Sequence, residues 1–142
     1  MSATLTVTVE GFADGAPIPG EFAFCVPAAE GHVTLAPNKN PAISWTGAPA
    51  GTAAFAIVCH DPDVPSVGDD VNQEGKTVPA DLPRVDFYHW VLVNIPADRT
   101  GFAAGEVCDG VTAKGKPTGP TPNGVRGYND YTGWFAGDPD MA

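Results

Sequence analysis

Alternation of apolar and polar residues is the strongest signal in this chain. Leu5, Val7 and Val9 interleave with Thr4, Thr6 and Thr8. That period of two predicts a half-buried strand ending at Gly11. Residues 11–20, with Gly11, Gly15, Pro17, Pro19 and Gly20, read as a loop. A second alternation from Glu21 to Val26 sets Phe22, Phe24 and Val26 on one face, and residues 27–41 read as loop again. Ala42–Thr46 is a short strand carrying Trp45 and closed by Gly47 and Pro49. Thr52–His60 is apolar on both faces, as in a strand covered from two sides. Phe87–Ile95, aromatic and β-branched and ended by Pro96, is the clearest strand of all. These last two are expected to be neighbouring central strands. Between them, 64–86 carries scattered prolines and single valines, and is expected to form a long solvated acidic loop near a pocket mouth. Residues 97–142 are Gly-rich and give no assignment by pattern.

Composition narrows the class. The chain has 142 residues, which is one domain (1–142) by length. Its 17 Gly and 15 Pro exclude a helical bundle, since both break helix interiors, and no amphipathic helix is visible. The expected fold class is all-β with few or no helices. Apolar runs such as Phe55–Cys59 are far too short to cross a membrane as a helix. Met1-Ser2-Ala3-Thr4 shows no basic segment leading into an apolar stretch, so a cytoplasmic location is expected.

Charge changes the picture of partners. Seven basic residues stand against 17 acidic ones, a formal charge of −10. Such a surface repels nucleic acid and anionic bilayers, so neither nucleic-acid binding nor stable membrane insertion is expected. The three cysteines have no metal-ligand spacing. Cys59, in an apolar run, is expected to be a buried small hydrophobe. A disulfide between Cys25 and Cys108 is possible, although a reducing compartment would oppose it.

Candidate chemistry sits at or near the ends of the two best strands. The first runs into Asp61-Pro62-Asp63-Val64-Pro65 and the second opens with Phe87-Tyr88-His89-Trp90. In extended backbone, residues two apart share a face, so Asp61 and Asp63 can address one point. Pro62 stiffens the corner between them and permits a cis bond at about 0.5–1 kcal/mol over trans. Two close carboxylates would share a proton, giving a donor for an anion, and His89 could supply another. Taken singly, each feature has a plainer reading. Asp-Pro-Asp is a common turn, a histidine in an apolar strand is ordinarily hydrogen-bonded core, and Tyr88 and Trp90 pack against a sheet.

Four pieces in order add to this. They are Gly15-Ala16-Pro17-Ile18-Pro19, Asn40-Pro41-Ala42-Ile43-Ser44-Trp45, Asp61-Pro62-Asp63-Val64-Pro65, and His89-Trp90-Val91-Leu92-Val93-Asn94-Ile95-Pro96. The series resembles the phosphatidylethanolamine-binding protein family, which includes Raf kinase inhibitor protein, and in particular its bacterial branch. The resemblance implies two antiparallel sheets in a sandwich with a small anion-binding pocket at one end. It places Asp61, Asp63 and His89 in that pocket, a cis bond at Pro62, and Phe87 or Tyr88 at the mouth. The function so implied is binding of a small phosphate-bearing or other anionic head group, and some family members modulate other proteins. No cofactor and no metal are expected, since only one histidine is placed at the pocket and the cysteines are scattered, and no catalytic residue is expected, since no H-E-x-x-H, G-x-S-x-G or P-loop occurs. The alternative is a metal-dependent hydrolase using Asp61, Asp63 and His89, whose N and O donors zinc accepts. A weaker variant would use Cys59 with His60, or Cys25, as nucleophile.

The chain departs from the family pattern near its end. Gly119-Pro120-Thr121-Pro122-Asn123 approaches the family's Gly-Pro-x-Pro-Pro loop without its last proline, and no histidine follows. The single domain is therefore expected to be incomplete at the C-terminus. A complementing C-terminal segment or second chain is expected to cover the exposed strand edges, and a homodimer is one form this could take.

Overall fold

A computed structural model describes residues 4–134, with nine strands and one helical turn. The strands are β1 (Thr6–Val9), β2 (Cys25–Pro27), β3 (Val33–Leu35), β4 (Ile43–Thr46), β5 (Ala54–Pro65), β6 (Arg84–Pro96), β7 (Gly101–Phe102), β8 (Gly119–Thr121) and β9 (Gly124–Arg126). A 3-10 turn occupies Gly20–Phe22 and a single helical turn, α1, spans Tyr131–Trp134. All pairings are antiparallel. They build a three-stranded sheet β1-β4-β7, a four-stranded sheet β5-β6-β9-β8, and a separate hairpin β2-β3. The fold is thus all-β as expected, with the small hairpin as a third sheet.

The core lies between the two larger sheets. Trp45 on β4 and Phe102 on β7 face Leu92 and Ile95 on β6, all buried, with Ile95 fully so. Trp45 packs on Phe55 of β5 at 5.3 Å between ring centroids and edge-on to Phe102 at 5.9 Å. Asn40 is the buried polar residue beside this core. Its amide donates to the carbonyls of Pro41 and Ala103, and its carbonyl accepts from the backbone N–H groups of Val107 and Cys108. One side chain thereby satisfies the turn after β7 and pins it to the start of β4.

Several sequence expectations are corrected. The span Glu21–Val26 is not a strand. Pro19 and Gly20 open a 3-10 turn, and the strand begins only at Cys25. The presumed loop 27–41 contains β3, which returns against β2. Leu5 and Val7 are exposed, because β1 is an outer strand of its sheet. β5 also lies at an edge of its sheet rather than in the centre, whereas its partner β6 is internal. Ala54, Ala56 and Val58 on β5 are exposed, so the strand is covered on one face and not on two. Cys59 is likewise exposed, and Cys25 and Cys108 are free thiols, the latter donating to the Asn38 carbonyl at 3.0 Å. The acidic excursion is shorter than 64–86, since β5 runs to Pro65 and β6 starts at Arg84.

β5 and β6 form a long ribbon with three register shifts. Opposite Ala56 the other strand carries both Val93 and Asn94, and Asn94 adopts a left-handed φ of 53°, a conformation asparagine tolerates better than most residues. Cys59 pairs with Trp90 and His60 with Tyr88, so His89 is an extra residue on β6. Pro62 and Asp63 together oppose Asp86, between the pairs Asp61–Phe87 and Val64–Val85. Proline fits such a bulge because the ladder asks no N–H of it.

Asn40→Ala is expected to lower unfolding free energy by about 2–4 kcal/mol, since two buried N–H groups and two carbonyls lose their partner. Urea denaturation measures this. A loss below about 1 kcal/mol would mean that water or local rearrangement satisfies these groups.

Candidate functional site

The bulge at His89 decides what the pocket end of the ribbon displays. A strict alternation would send His89 and Trp90 to opposite faces. With one extra residue, both turn inward: Trp90 packs against the core, while His89 lines a cavity beside Phe87. That cavity holds about 250 Å³. Phe24, Val33, Val64, Val71 and Phe87 give it an apolar wall, and Asn72, Cys25, Tyr131 and His89 bring its polar atoms. Three separate segments therefore meet the ribbon here. They are the β2-β3 hairpin, the 66–83 loop through Val71 and Asn72, and α1 through Tyr131.

Tyr131 is the hub of the aromatic cluster. Its ring centroid lies 5.0 Å from Phe24, 4.9 Å from Phe87 and 5.4 Å from His89. Burial first, then the negative charges of Cys25, Asp61 and Cys59 when ionised, push its phenol up to about 12. The hydroxyl thus stays protonated throughout the physiological range, a neutral group that can donate. The Cys25 thiol, also in the cavity wall, is pushed above the ordinary thiol range by burial.

Asp61 stands on β5 at the rim, with Oδ2 3.7 Å from His89 Nε2. Its other oxygen accepts from the Asp63 backbone N–H at 2.8 Å. Asp63 itself lies elsewhere: its Oδ1 is 3.6 Å from Arg84 Nε, and its side chain is 83% exposed. The bulge at Pro62–Asp63 breaks the period of two on which a shared face depended. Each carboxylate finds its own partner, so the shared-proton pair expected from the sequence is replaced by an Asp61–His89 pair. The expected cis bond at Pro62 is also corrected, since every described peptide bond is trans. The strand continues through Pro62 and the bulge supplies the local bend.

Tyr88 belongs to the opposite face of the ribbon, not to the mouth. It stacks on His60 at 5.0 Å and 20° between planes, and His60 Nε2 lies 2.9 Å from Asp86 Oδ1. His60 and Asp61 thus point to opposite faces, as adjacent strand residues do. Although Cys59 is exposed as a residue, partial desolvation of its thiol and then Asp61 push it up, while His60 is engaged with Asp86, so the Cys59–His60 nucleophile gains no support. Among the described residues, no group of three or more His, Cys, Asp and Glu side chains could hold a metal ion. A larger but shallow groove of about 420 Å³ runs along β4 and β7 past Glu10 and Ser44. It has no cationic or imidazole group.

Comparison with known proteins follows the same line. The model of the family described as phosphatidylethanolamine-binding protein matches residues 8–140. The chain belongs to that family. Similar proteins include UPF0098 protein YbhB of Escherichia coli K12, 35% identical over 80 residues that cover 52% of this chain and 40% of the relative. A UPF0098 protein of Methanothermobacter thermautotrophicus is 35% identical over 94 residues, covering 66% of this chain and 44% of that protein. A putative lipoprotein, LppC, of Mycobacterium tuberculosis is 33% identical over 124 residues, 87% of this chain and 45% of the relative. The chain spans under half the length of each of these three relatives. No helix among the described residues is long and apolar enough to cross a membrane.

Asp61 and His89 meet at the rim, while Phe24 and Tyr131 line the cavity from segments that the sequence pattern did not single out. Tyr131 titration is directly measurable by ultraviolet absorbance. Its folded pKa is raised from 10 to about 12, so the resulting stability is present below pH 10 and is lost as pH rises toward 12. One phenol is expected to ionise late, and Tyr131→Phe should remove that late component. All phenols ionising together near pH 10 would contradict the buried placement.

Proposed function

We propose that this chain is a non-enzymatic binding protein for a small molecule that joins one anionic, phosphate-like group to a compact apolar part. The observation that carries the reading is the make-up of the cavity wall. Among the described residues, His89 is the one side chain in it that can become cationic, and it sits among Phe24, Val64, Val71 and Phe87. A protonated imidazole in apolar surroundings binds an anion more strongly than it would in water, because the local dielectric is low. Tyr131 and the Asn72 amide add neutral donors. The family's description names a phospholipid, whose head group carries a phosphate of this kind.

Asp61 tunes the site. Its carboxylate, 3.7 Å from His89 Nε2, opposes a second negative charge at the rim. Monoanions therefore suit the pocket better than dianions. The acidic surface, −10 overall, disfavours docking to anionic bilayers and leaves the free head-group class as the fitting ligand.

Calorimetric titration with methyl phenyl phosphate, a diester that keeps one charge from about pH 5 to 8, tests this. Affinity should be higher at low pH than at high pH, because only a protonated imidazole attracts the anion by charge. His89→Ala should weaken binding by about tenfold or more at pH 6, near 1.4 kcal/mol. Binding that is independent of pH and unchanged by His89→Ala would reject the site.

A further inference from the structure

Residues 127–131 follow β6 past the point where its ladder with β9 ends. Gly127 N–H donates to the Val91 carbonyl at 3.0 Å. Asn129 Nδ2 donates to the His89 carbonyl at 3.1 Å. Asp130 N–H donates to the Tyr88 carbonyl at 3.0 Å, and Tyr88 N–H donates in return to Asp130 Oδ2 at 2.7 Å. A bulge leaves its extra residue outside the regular ladder. Here the carbonyl of that residue, His89, is taken by one side chain and the neighbouring N–H of Tyr88 by another. The residue after Asp130 is Tyr131, which the same segment delivers onto the rings of His89 and Phe87. Neither Asn129 nor Asp130 lines the cavity.

We infer that Asn129 and Asp130 are positioning residues, which clamp the β6 bulge and so fix both His89 and Tyr131 for ligand binding. The clamp sets the affinity of the pocket from outside it. Its chemistry dictates an asymmetry between the two positions. Position 130 needs only an acceptor oxygen, so an amide can replace the carboxylate. Position 129 needs a donor facing a carbonyl, so a carboxylate there would set oxygen against oxygen. If instead Asp130 acted through its charge, Asp130→Asn would be as harmful as Asp130→Ala, because both remove that charge.

The affinity arm rests on the function proposed above, whereas the positioning itself does not. The test is proton–carbon NMR of the three histidine imidazoles without ligand, together with calorimetry using methyl phenyl phosphate. Among the described residues, the titratable groups facing His89 are Asp61 from β5, Tyr131 from α1 and, across the cavity, Cys25 from β2. A changed orientation alters its distance to all three and so moves its ring resonances. Asp130→Ala should shift the His89 resonances, leave those of His32 unchanged, and weaken diester binding at least fivefold. Asp130→Asn should stay within twofold of the unaltered protein in affinity and keep the His89 resonances near their original positions. Asn129→Asp should resemble Asp130→Ala. If Asp130→Ala does not fold, Asn129→Ala, which removes one hydrogen bond only, is read in the same way. His89 resonances that ignore Asp130→Ala or Asn129→Ala would overturn the inference, as would an Asp130→Asn variant as impaired as Asp130→Ala. If the unaltered protein fails to bind the diester, the function reading fails, and the His89 resonances alone decide the clamp.

Discussion

The antiparallel ribbon of β5 and β6 is the constraint on which the rest of the structure depends. At one end it places Phe55, Leu92 and Ile95 against Trp45 and Phe102 and so forms the core. At the other end it carries Asp61 and His89. A regular ribbon could not do both. Side chains of a regular ribbon alternate strictly, and Trp90 would leave the core if His89 faced the cavity. One extra residue at His89 resolves the conflict, and a second irregularity at Pro62–Asp63 adjusts the other strand.

Irregularity has a cost, because bulged backbone groups lose ladder partners. The fold meets it with side chains drawn from distant segments. Asp61 accepts from the backbone of Asp63, and Asn129 and Asp130 accompany β6 past the bulge. The same device recurs at the core, where Asn40 satisfies the turn after β7. Short polar side chains suit this task, since they mimic a backbone partner with little freedom to lose. The cavity is then walled by elements with almost no regular structure of their own: a hairpin of two three-residue strands, the 66–83 loop and one helical turn.

This division explains what the sequence makes legible. β6 is plain from its aromatic and β-branched run, and β4 from Trp45 and its flanking turn residues. Asp61 and His89 stand out because they punctuate apolar strands. The hairpin of β2 and β3 does not, because each strand is three residues long and Pro27 and Gly31 read as loop. Phe24 and Tyr131 reach the cavity from such irregular segments, where no period predicts a facing partner. Asp63 follows from a rule of strict alternation, and the bulge at Pro62–Asp63 is the place where that rule lapses; Tyr88 at the mouth follows from the family resemblance alone, while alternation already sets it opposite His89. The edge position of β5 is a matter of sheet order, on which its apolar composition is silent.

The central claim is that an anion binds beside His89 in the cavity closed by Tyr131. Mapping of backbone and side-chain NMR shifts during addition of methyl phenyl phosphate at pH 6 tests it most directly. The account predicts changes concentrated at Phe24, Val71, His89 and Tyr131, with Ser44, Thr100 and the rest of the β4–β7 groove unmoved. Changes centred on that groove, or spread evenly over the surface, would contradict it.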